Sequence, residues 1–302
     1  MHTLDAQGTV VFQKQLEHVK AKMFEVLYPE LTYRRVFPIA TDAHPGSDSI
    51  TYHSFDESGE ATILANNAKD LHRVDISGAE TTKLVRNIGA AFGYSYFDIL
   101  RAQKAGMPLE QRKANAARRA IERKMNSIAY LGDEEYNMTG LLSDADVPSG
   151  NAPNGSWSSS SEPDDILEDV LDAGNQVFVD SNGVEYPNRL LVTPASKALL
   201  DTVRLSSMTE QTLIKWLVEN VAWLQSVNDI IVVPELIEAG NASADVMVAM
   251  TADPEKLEFE IPMDITPLET DKIQLEYVTP VVARCAGLNI YYPGSMFISE
   301  GV

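Results

Sequence analysis

Cysteine is nearly absent from this chain: Cys285 is the sole thiol in 302 residues. One thiol closes no intrachain disulfide and builds no cysteine zinc cluster, which fits a reducing compartment. Basic residues are scarce, with 24 Lys and Arg against 44 Asp and Glu and a net charge of −20. A free-standing nucleic-acid binder carries the opposite sign. No apolar run approaches the length of a membrane span. Met1–Val10 lacks a basic region followed by an apolar core, so no signal peptide is visible. Catalytic motifs are missing too: no phosphate-binding Gly-rich loop with Lys-Ser/Thr, no Gly-x-Gly-x-x-Gly, no Gly-x-Ser-x-Gly and no His-Glu-x-x-His. The five histidines (His2, His18, His44, His53, His72) all fall in the first quarter, with no two at metal-ligand spacing on one face. Asp133-Glu134-Glu135 and Asp164-Asp165 match no calcium loop and read as solvated turns. These absences argue against an enzyme, and no metal or cofactor is expected.

What is present is uneven charge. Between Arg101 and Lys124 stand eight basic residues against two acidic ones, Glu110 and Glu122. One basic element in an acidic protein suggests charge-guided contact with another copy or with a polyanion. The bland alternative is a solvated helix face paired with acidic neighbours.

Along the chain, Phe12, Leu16, Val19 and Met23 recur at helical spacing and predict an amphipathic helix over 12–27, stopped at Tyr28-Pro29. Leu31 to Ile39 reads as extended. Ile50 to Phe55 alternates and is β-rich, Asp56 to Glu60 reads as a turn, and Ala61 to Leu64 as the return strand of a hairpin. Such a hairpin is marginal alone in water and needs a partner surface. The stretch 79–131 reads as the strongest helical region, broken at Gly106-Met107-Pro108. From Leu109 to Leu131 there is neither Gly nor Pro, and Ala114, Ala117, Ile121, Met125 and Ile128 form a stripe. Arg112, Arg119 and Arg123 project elsewhere, and Gly132 suits a C-terminal cap.

Of the 23 residues 143–165, 18 are Ser, Pro, Gly, Asn or Asp, the composition of a loop. Glu162 to Leu171 predicts a short helix and Gln176 to Asp180 a strand. Buried strands are expected at Arg189 to Val192, Asp229 to Pro234 and Val246 to Met250. Helices are expected at Ala195 to Val203 and Gln211 to Leu224, with Trp216 and Trp223 as core residues of the latter. This alternation suggests an α/β subdomain. From Leu257 the chain is strand-rich, with Leu257 to Ile261, Ile273 to Tyr277, Val281 to Cys285, Leu288 to Tyr292 and Met296 to Ile298. Cys285 reads as a small core residue.

The collinear order of short motifs resembles the Hong Kong 97-type fold of tailed-phage major capsid proteins, which encapsulins share. Tyr28-Pro29-Glu30-Leu31 with Arg34 and Phe37-Pro38 resembles that family's N-terminal arm. Ile50-Thr51-Tyr52 with Phe55-Asp56 and Gly59-Glu60-Ala61 resembles its hairpin. Gly93-Tyr94-Ser95-Tyr96 with Ile99 and Arg101, then Lys113-Ala114, Ala117-Arg118-Arg119-Ala120, Glu122, Asn126 and Gly132-Asp133, resembles the approach to the spine helix and the helix itself. Gly140-Leu141-Leu142 resembles the turn after it. Arg284 through Tyr292-Pro293-Gly294-Ser295 resembles the final strand.

The resemblance implies an α+β fold with an N-terminal arm over 1–45 and an extended hairpin loop over 46–78. A peripheral domain would take 79–185 and 255–285, with a spine helix at about 108–131, and an axial domain 186–254 and 286–302. It implies self-assembly into pentamers and hexamers around phage double-stranded DNA, which is held only non-specifically. The hairpin residues Ile50, Tyr52, Phe55, Glu57, Glu60 and Ile63 and the arm residues Phe12, Leu16, Val19 and Met23 would meet neighbouring copies. Arg112, Arg118, Arg119 and Arg123 would serve as basic contacts of the spine helix. With only about 45 residues before the hairpin, the resemblance implies a separate scaffolding protein or an already processed chain. Portal and decoration proteins are the other implied partners. The location would be the virion, with host cytoplasm during assembly and no membrane. The alternatives are an encapsulin-like compartment shell, or a nucleic-acid-binding protein using the basic helix 101–124.

Overall fold

Polar groups at the front of the chain find partners far along it, and this decides where the front segment sits. The computed structural model describes residues 29–58, 75–105, 109–206 and 210–302. The chain divides into two units, Met1–Glu30 and Leu31–Val302, and the second is described below. The expected helix over 12–27, with Phe12, Leu16, Val19 and Met23, lies outside the described residues, as do Glu60 and Ile63.

Leu31 to Ile39 is not extended throughout. Tyr33–Val36 makes one helical turn, α1, followed by the short strand β1, Ile39–Ala40. Thr32 gives no side-chain cap. Instead the backbone N–H groups of Thr32 and Tyr33 donate to Asn126 Oδ1 at 3.1 and 3.2 Å. Tyr33, Val36 and Phe37 are buried in the main core. This segment therefore packs on its own body.

Strand β2, Ser49–Ser58, pairs antiparallel with β3, Asp75–Leu84, over ten rungs from Ser49↔Leu84 to Ser58↔Asp75. The expected turn at Asp56 is thus occupied by strand, the described partner of β2 is Asp75–Leu84, and the return strand expected at Ala61 to Leu64 lies outside the described residues. Polar pairs carry the register here: Thr51 and Thr82 share a hydrogen bond at 2.8 Å, and His53 faces Glu80 with Nδ1 3.5 Å from a carboxylate oxygen. A search for apolar alternation misses such a strand, because cross-strand polar pairs stabilise ladders as well.

The helical reading of 79–131 fails over its first half. Arg86–Ser95 is strand β4, and the helix α2 spans Tyr96–Ala105. The long ladder to a strand some 190 residues later, described below, overrides any local preference. The second half holds: α3 runs Leu109–Leu131, 23 residues or about 34 Å at 1.5 Å per residue. Ala117, Ile121, Met125 and Ile128 of its stripe are buried. Gly132, at φ +75°, ends it, and a Cβ there would stand 2.4 Å from the Met138 carbonyl oxygen.

The loop after it holds the short strand β5, Ser149–Asn151. Helix α4 runs Pro163–Asp180 and absorbs the strand expected at Gln176 to Asp180. Its buried residues Ile166, Val170, Ala173 and Val177 keep helical spacing to the end, and that outweighs the β-branched residues near its C-terminus. Next come β6 (Arg189–Val192), α5 (Pro194–Thr202) and α6 (Leu213–Asn220). Thr193 caps α5 by accepting from the Ser196 N–H at 3.2 Å. Helix α6 is shorter than expected, so Trp223 lies beyond it. Both Trp216 and Trp223 are partly buried against the second core.

The remaining strands are β7 (Ile230–Val232), β8 (Val246–Met250), β9 (Leu257–Glu260), β10 (Met263–Pro267), β11 (Asp271–Ile273), β12 (Glu276–Cys285), β13 (Gly287–Ile290) and β14 (Met296–Glu300). Ile273 to Tyr277 is not one strand, because Gln274 at φ +56° turns the chain between β11 and β12.

Four sheets result. β4 lies along the whole of β12, from Ser95↔Glu276 to Arg86↔Cys285, with β10 and β11 also paired to β12. β1-β9-β13 is a small sheet, and β2-β3 a separate ribbon. The five-stranded sheet β5-β14-β8-β6-β7 is buried on both faces. Leu190, Val192, Met247, Ala249 and Phe297 join the core made with α4, α5 and α6, while Leu191, Val246, Val248, Met250 and Ile298 join the core containing α3. Period-two alternation with both sides apolar gives continuous hydrophobic runs such as Val246 to Met250. Helix α4 packs on this sheet, and β13 pairs with β9 in the small one.

Asn126 ties these parts together. Besides capping the front segment it donates through Nδ2 to Glu235 Oε1, and Thr32 Oγ1 shares a 2.7 Å hydrogen bond with Tyr130 Oη. Asn126→Ala leaves two buried backbone donors and a carboxylate without their partner. At about 1–3 kcal/mol per orphaned group, it is expected to destabilise the unassembled subunit by about 2–4 kcal/mol in urea unfolding. A change under about 0.5 kcal/mol would show that the front segment does not depend on this side chain.

Candidate interaction surfaces

Both strands of the β2-β3 ribbon carry many polar residues, and their described side chains are mostly exposed. Thr51, His53, Ser54 and every residue from Ile76 to Thr82 are exposed, Ile76 by 61 %. Ten residues at about 3.4 Å give a ribbon of about 34 Å. Its root is fastened. Tyr52 meets Tyr291 edge to face at 5.1 Å between ring centroids. Lys83 Nζ donates to Thr139 Oγ1 at 3.0 Å and to the Leu288 carbonyl. Burial pushes the Lys83 ammonium below its ordinary pKa, with Asp144 opposing that shift. Arg284 Nη1 and Nη2 donate to the Pro45 carbonyl at 2.5 Å and to Asp48 Oδ1 at 3.0 Å.

Of the expected hairpin contacts, Ile50 and Tyr52 are half-buried at this root. Phe55 and Glu57 lie on β2, opposite Gly78 and Ile76. Glu60 and Ile63 fall outside the described residues.

The basic window 101–124 is not one helix: it is shared between α2 and α3. Arg112, Arg118, Arg119 and Arg123 are all exposed on α3, three of them on faces away from its buried stripe and Arg118 in line with it. Arg118 stands 3.9 Å from Glu122, and Arg123 Nε donates to the Arg119 carbonyl at 3.4 Å. Other cations of the window are engaged within the fold. Lys113 Nζ donates to the Gly93 carbonyl at 2.5 Å and lies 5.0 Å from the Tyr94 ring centroid. Lys124 pairs with Asp133 at 2.6 Å, which holds the Asp133 carboxyl below its usual range.

Two features escaped the sequence reading. Arg34 Nη2 pairs with Asp264 at 2.7 Å, while Arg34 Nε donates to Tyr33 Oη at 2.8 Å, and that hydroxyl donates to Glu122 Oε2 at 2.7 Å. Burial and the neighbouring Glu122 push the Tyr33 phenol well above its ordinary pKa. These partners are too far apart in sequence for any motif to flag. The second is a set of exposed apolar side chains where α2 meets the β11-β12 turn: Tyr96, Phe97, Leu100, Ile273 and Leu275, joined by the Tyr96 N–H donating to the Leu275 carbonyl at 2.8 Å. The sequence reads Tyr96 to Leu100 as helix and Ile273 to Tyr277 as a strand, and neither reading brings the two together.

Cys285 is fully buried, and burial raises its thiol to about 12, so it acts as a core residue. Among the described residues no three His, Cys, Asp or Glu converge as a metal site, and no helix is long and apolar enough to cross a membrane. The geometry offers surfaces: an exposed ribbon, a basic helix face and an apolar tip.

No curated protein sequence matches the chain. Among solved structures, the capsid of the Myoviridae phage XM1 superposes with a TM-score of 0.84 at 16% identity, covering 98% of this chain and 100% of that one. The capsid of a native GTA particle gives 0.64 at 11%, covering 94% of each chain. A virus-like particle from Pyrococcus furiosus gives 0.58 at 16%, covering 88% of this chain and 91% of that one. These likenesses establish the fold, which is of the Hong Kong 97 type. The family model described as major capsid protein matches residues 59–302. The chain is therefore a shell-forming structural protein and belongs to the major capsid protein family.

Proposed function

We propose that this protein tiles the icosahedral head of a tailed bacteriophage, as pentamers and hexamers enclosing double-stranded DNA. The observation that carries this reading is the β2-β3 ribbon. It has ten rungs, a fastened root and exposed faces, and a two-stranded ribbon gains little stability alone in water. Laid across an adjacent copy, it buries those faces. The family membership and the full-length likeness to the phage XM1 capsid support a virion shell over a compartment shell. The exposed arginines of α3 serve charge-guided contact with acidic neighbours or loose contact with packaged DNA. The net charge of −20 opposes tight adhesion of DNA to the shell. A scaffolding protein, a portal and decoration proteins are the further partners of such a head, which would assemble in host cytoplasm.

Replacing residues 50–83 by a short Gly-Ser linker is expected to leave a folded subunit by circular dichroism that forms no closed particles by light scattering and negative-stain microscopy. Normal particles from this variant would refute the ribbon's role. Changing Arg112, Arg118, Arg119 and Arg123 together to Gln is expected to lower the subunit's stability by no more than about 1 kcal/mol, because exposed ion pairs such as Arg118–Glu122 contribute little. Assembly should be slowed and its salt dependence weakened. Free wild-type subunits should bind duplex DNA weakly. Tight binding with a steep salt slope would favour a nucleic-acid-binding role instead.

A further inference from the structure

Charge is unevenly placed in the part of the chain that holds α4, α5 and α6. Between Pro163 and Asn220 ten acidic residues stand against four basic ones. Two of those four are engaged within the fold: Arg189 Nη1 donates to the Arg35 carbonyl, and Lys197 pairs with Asp201 at 2.7 Å. The other two, Arg204 and Lys215, are exposed, and among the described residues neither meets a carboxylate.

The acids are not scattered. Asp164, Glu168 and Asp172 follow one another at four-residue steps along one face of α4 and line a groove of about 660 Å³. Leu171 forms its floor together with Leu205 and Trp216 of the far wall, and all three are half-buried. Like charges at this spacing disfavour the helix that carries them. The helix dipole favours Asp164 in the first turn, but its reach ends before Glu168 and Asp172. The rim is also held in place. Glu168 Oε2 accepts from Asn154 Nδ2 at 3.1 Å, and the Asn154 backbone N–H donates to Asp169 Oδ1 at 2.9 Å. Asp169 is fully buried and accepts a further bond from Trp157 Nε1 at 2.8 Å. Among the described residues no cation pairs with the three rim carboxylates.

The wall carrying Leu205 and Trp216 turns its cations the other way. Arg204 bridges Thr212 in extended backbone, so its side chain leaves on the side opposite to that of Leu205. Lys215, in the first turn of α6, lies on the side opposite the buried Leu213 and Leu217, and Trp216 stands about 100° around the helix from it. These two cations therefore stand outside the groove of their own chain.

We propose that the groove seats Arg204 and Lys215 of a second copy, with their charges against Asp164, Glu168 and Asp172 and their aliphatic stems over Leu171, Leu205 and Trp216. The two surfaces differ and both lie on one chain, so each copy offers its groove to one neighbour and its cations to another. Head-to-tail contacts of this kind close into rings where the rotation permits. The pairing rests on the tiling proposed above and names a contact that joins the copies of one pentamer or hexamer.

Charge reversal on the full-length chain tests it, with association followed by sedimentation velocity and folding by circular dichroism. Arg204→Glu with Lys215→Glu, and separately Glu168→Lys with Asp172→Lys, should each weaken association by at least about tenfold, because like charges then face each other. All four changes in one chain restore opposite charges across the contact and should return association to within about threefold of wild type. Association unaffected by either reversal, or no recovery in the fourfold variant, would overturn the pairing. Should a variant not fold, carbodiimide crosslinking of mixed light- and heavy-isotope wild type decides the matter. Lys215 joined to Asp164, Glu168 or Asp172 of another copy supports the contact, and the absence of such links overturns it. Normal particles from both reversed variants would sink the pairing and leave the tiling standing, whereas a wild type that stays monomeric at every concentration and salt would sink both.

Discussion

A two-stranded ribbon satisfies half of its backbone hydrogen-bonding capacity and buries little on its own, and this constraint shapes the rest of the molecule. β2 and β3 close ten rungs on each other, yet the described side chains from Ile76 to Thr82 all face solvent. Only the root is held, by the Tyr52–Tyr291 ring contact, Lys83 and the Arg284 fork. Under the proposed function, an element of this kind gains its stability on assembly. The many weak contacts of a closed shell suit it, because symmetry repeats each contact in every copy.

The body that carries the ribbon is built the opposite way. The five-stranded sheet has apolar side chains on both faces and lies between two cores, one against α4, α5 and α6 and one shared with α3. Helix α3 spends one face on that core and leaves its arginines outside. Asn126, near its C-terminal end, reaches back to hold Thr32 and Tyr33, and Arg34 then bridges to Asp264. The front segment is thereby fixed as far as Ala40, where it pairs with Glu260.

Legibility in the sequence followed the range of the interactions responsible. Helix α3 was readable closely, because its apolar stripe, lack of Gly and Pro, and Gly132 cap are all local. β6 and β8 were readable as apolar runs bounded by polar turns. β4 was not, since the ladder to β12 that makes it a strand lies across nearly two hundred residues, and its aromatics mimic a helical run. β3 was hidden by its polar composition. Among the surface residues, the exposure of Arg112, Arg119 and Arg123 followed from the phase of the stripe, and that of Arg118 did not. The Arg34 network and the burial of Glu260 did not, because each is created by strands and helices brought together only in the fold.

The account's central claim is that the ribbon is covered by another copy of the chain. Amide hydrogen exchange over Thr51–Ser58 and Asp75–Thr82, compared between free subunits and assembled particles, tests it most directly. The ribbon as placed here predicts weak protection in the free subunit and strong protection in the particle, increasing away from the root. Equal protection in both states would contradict it.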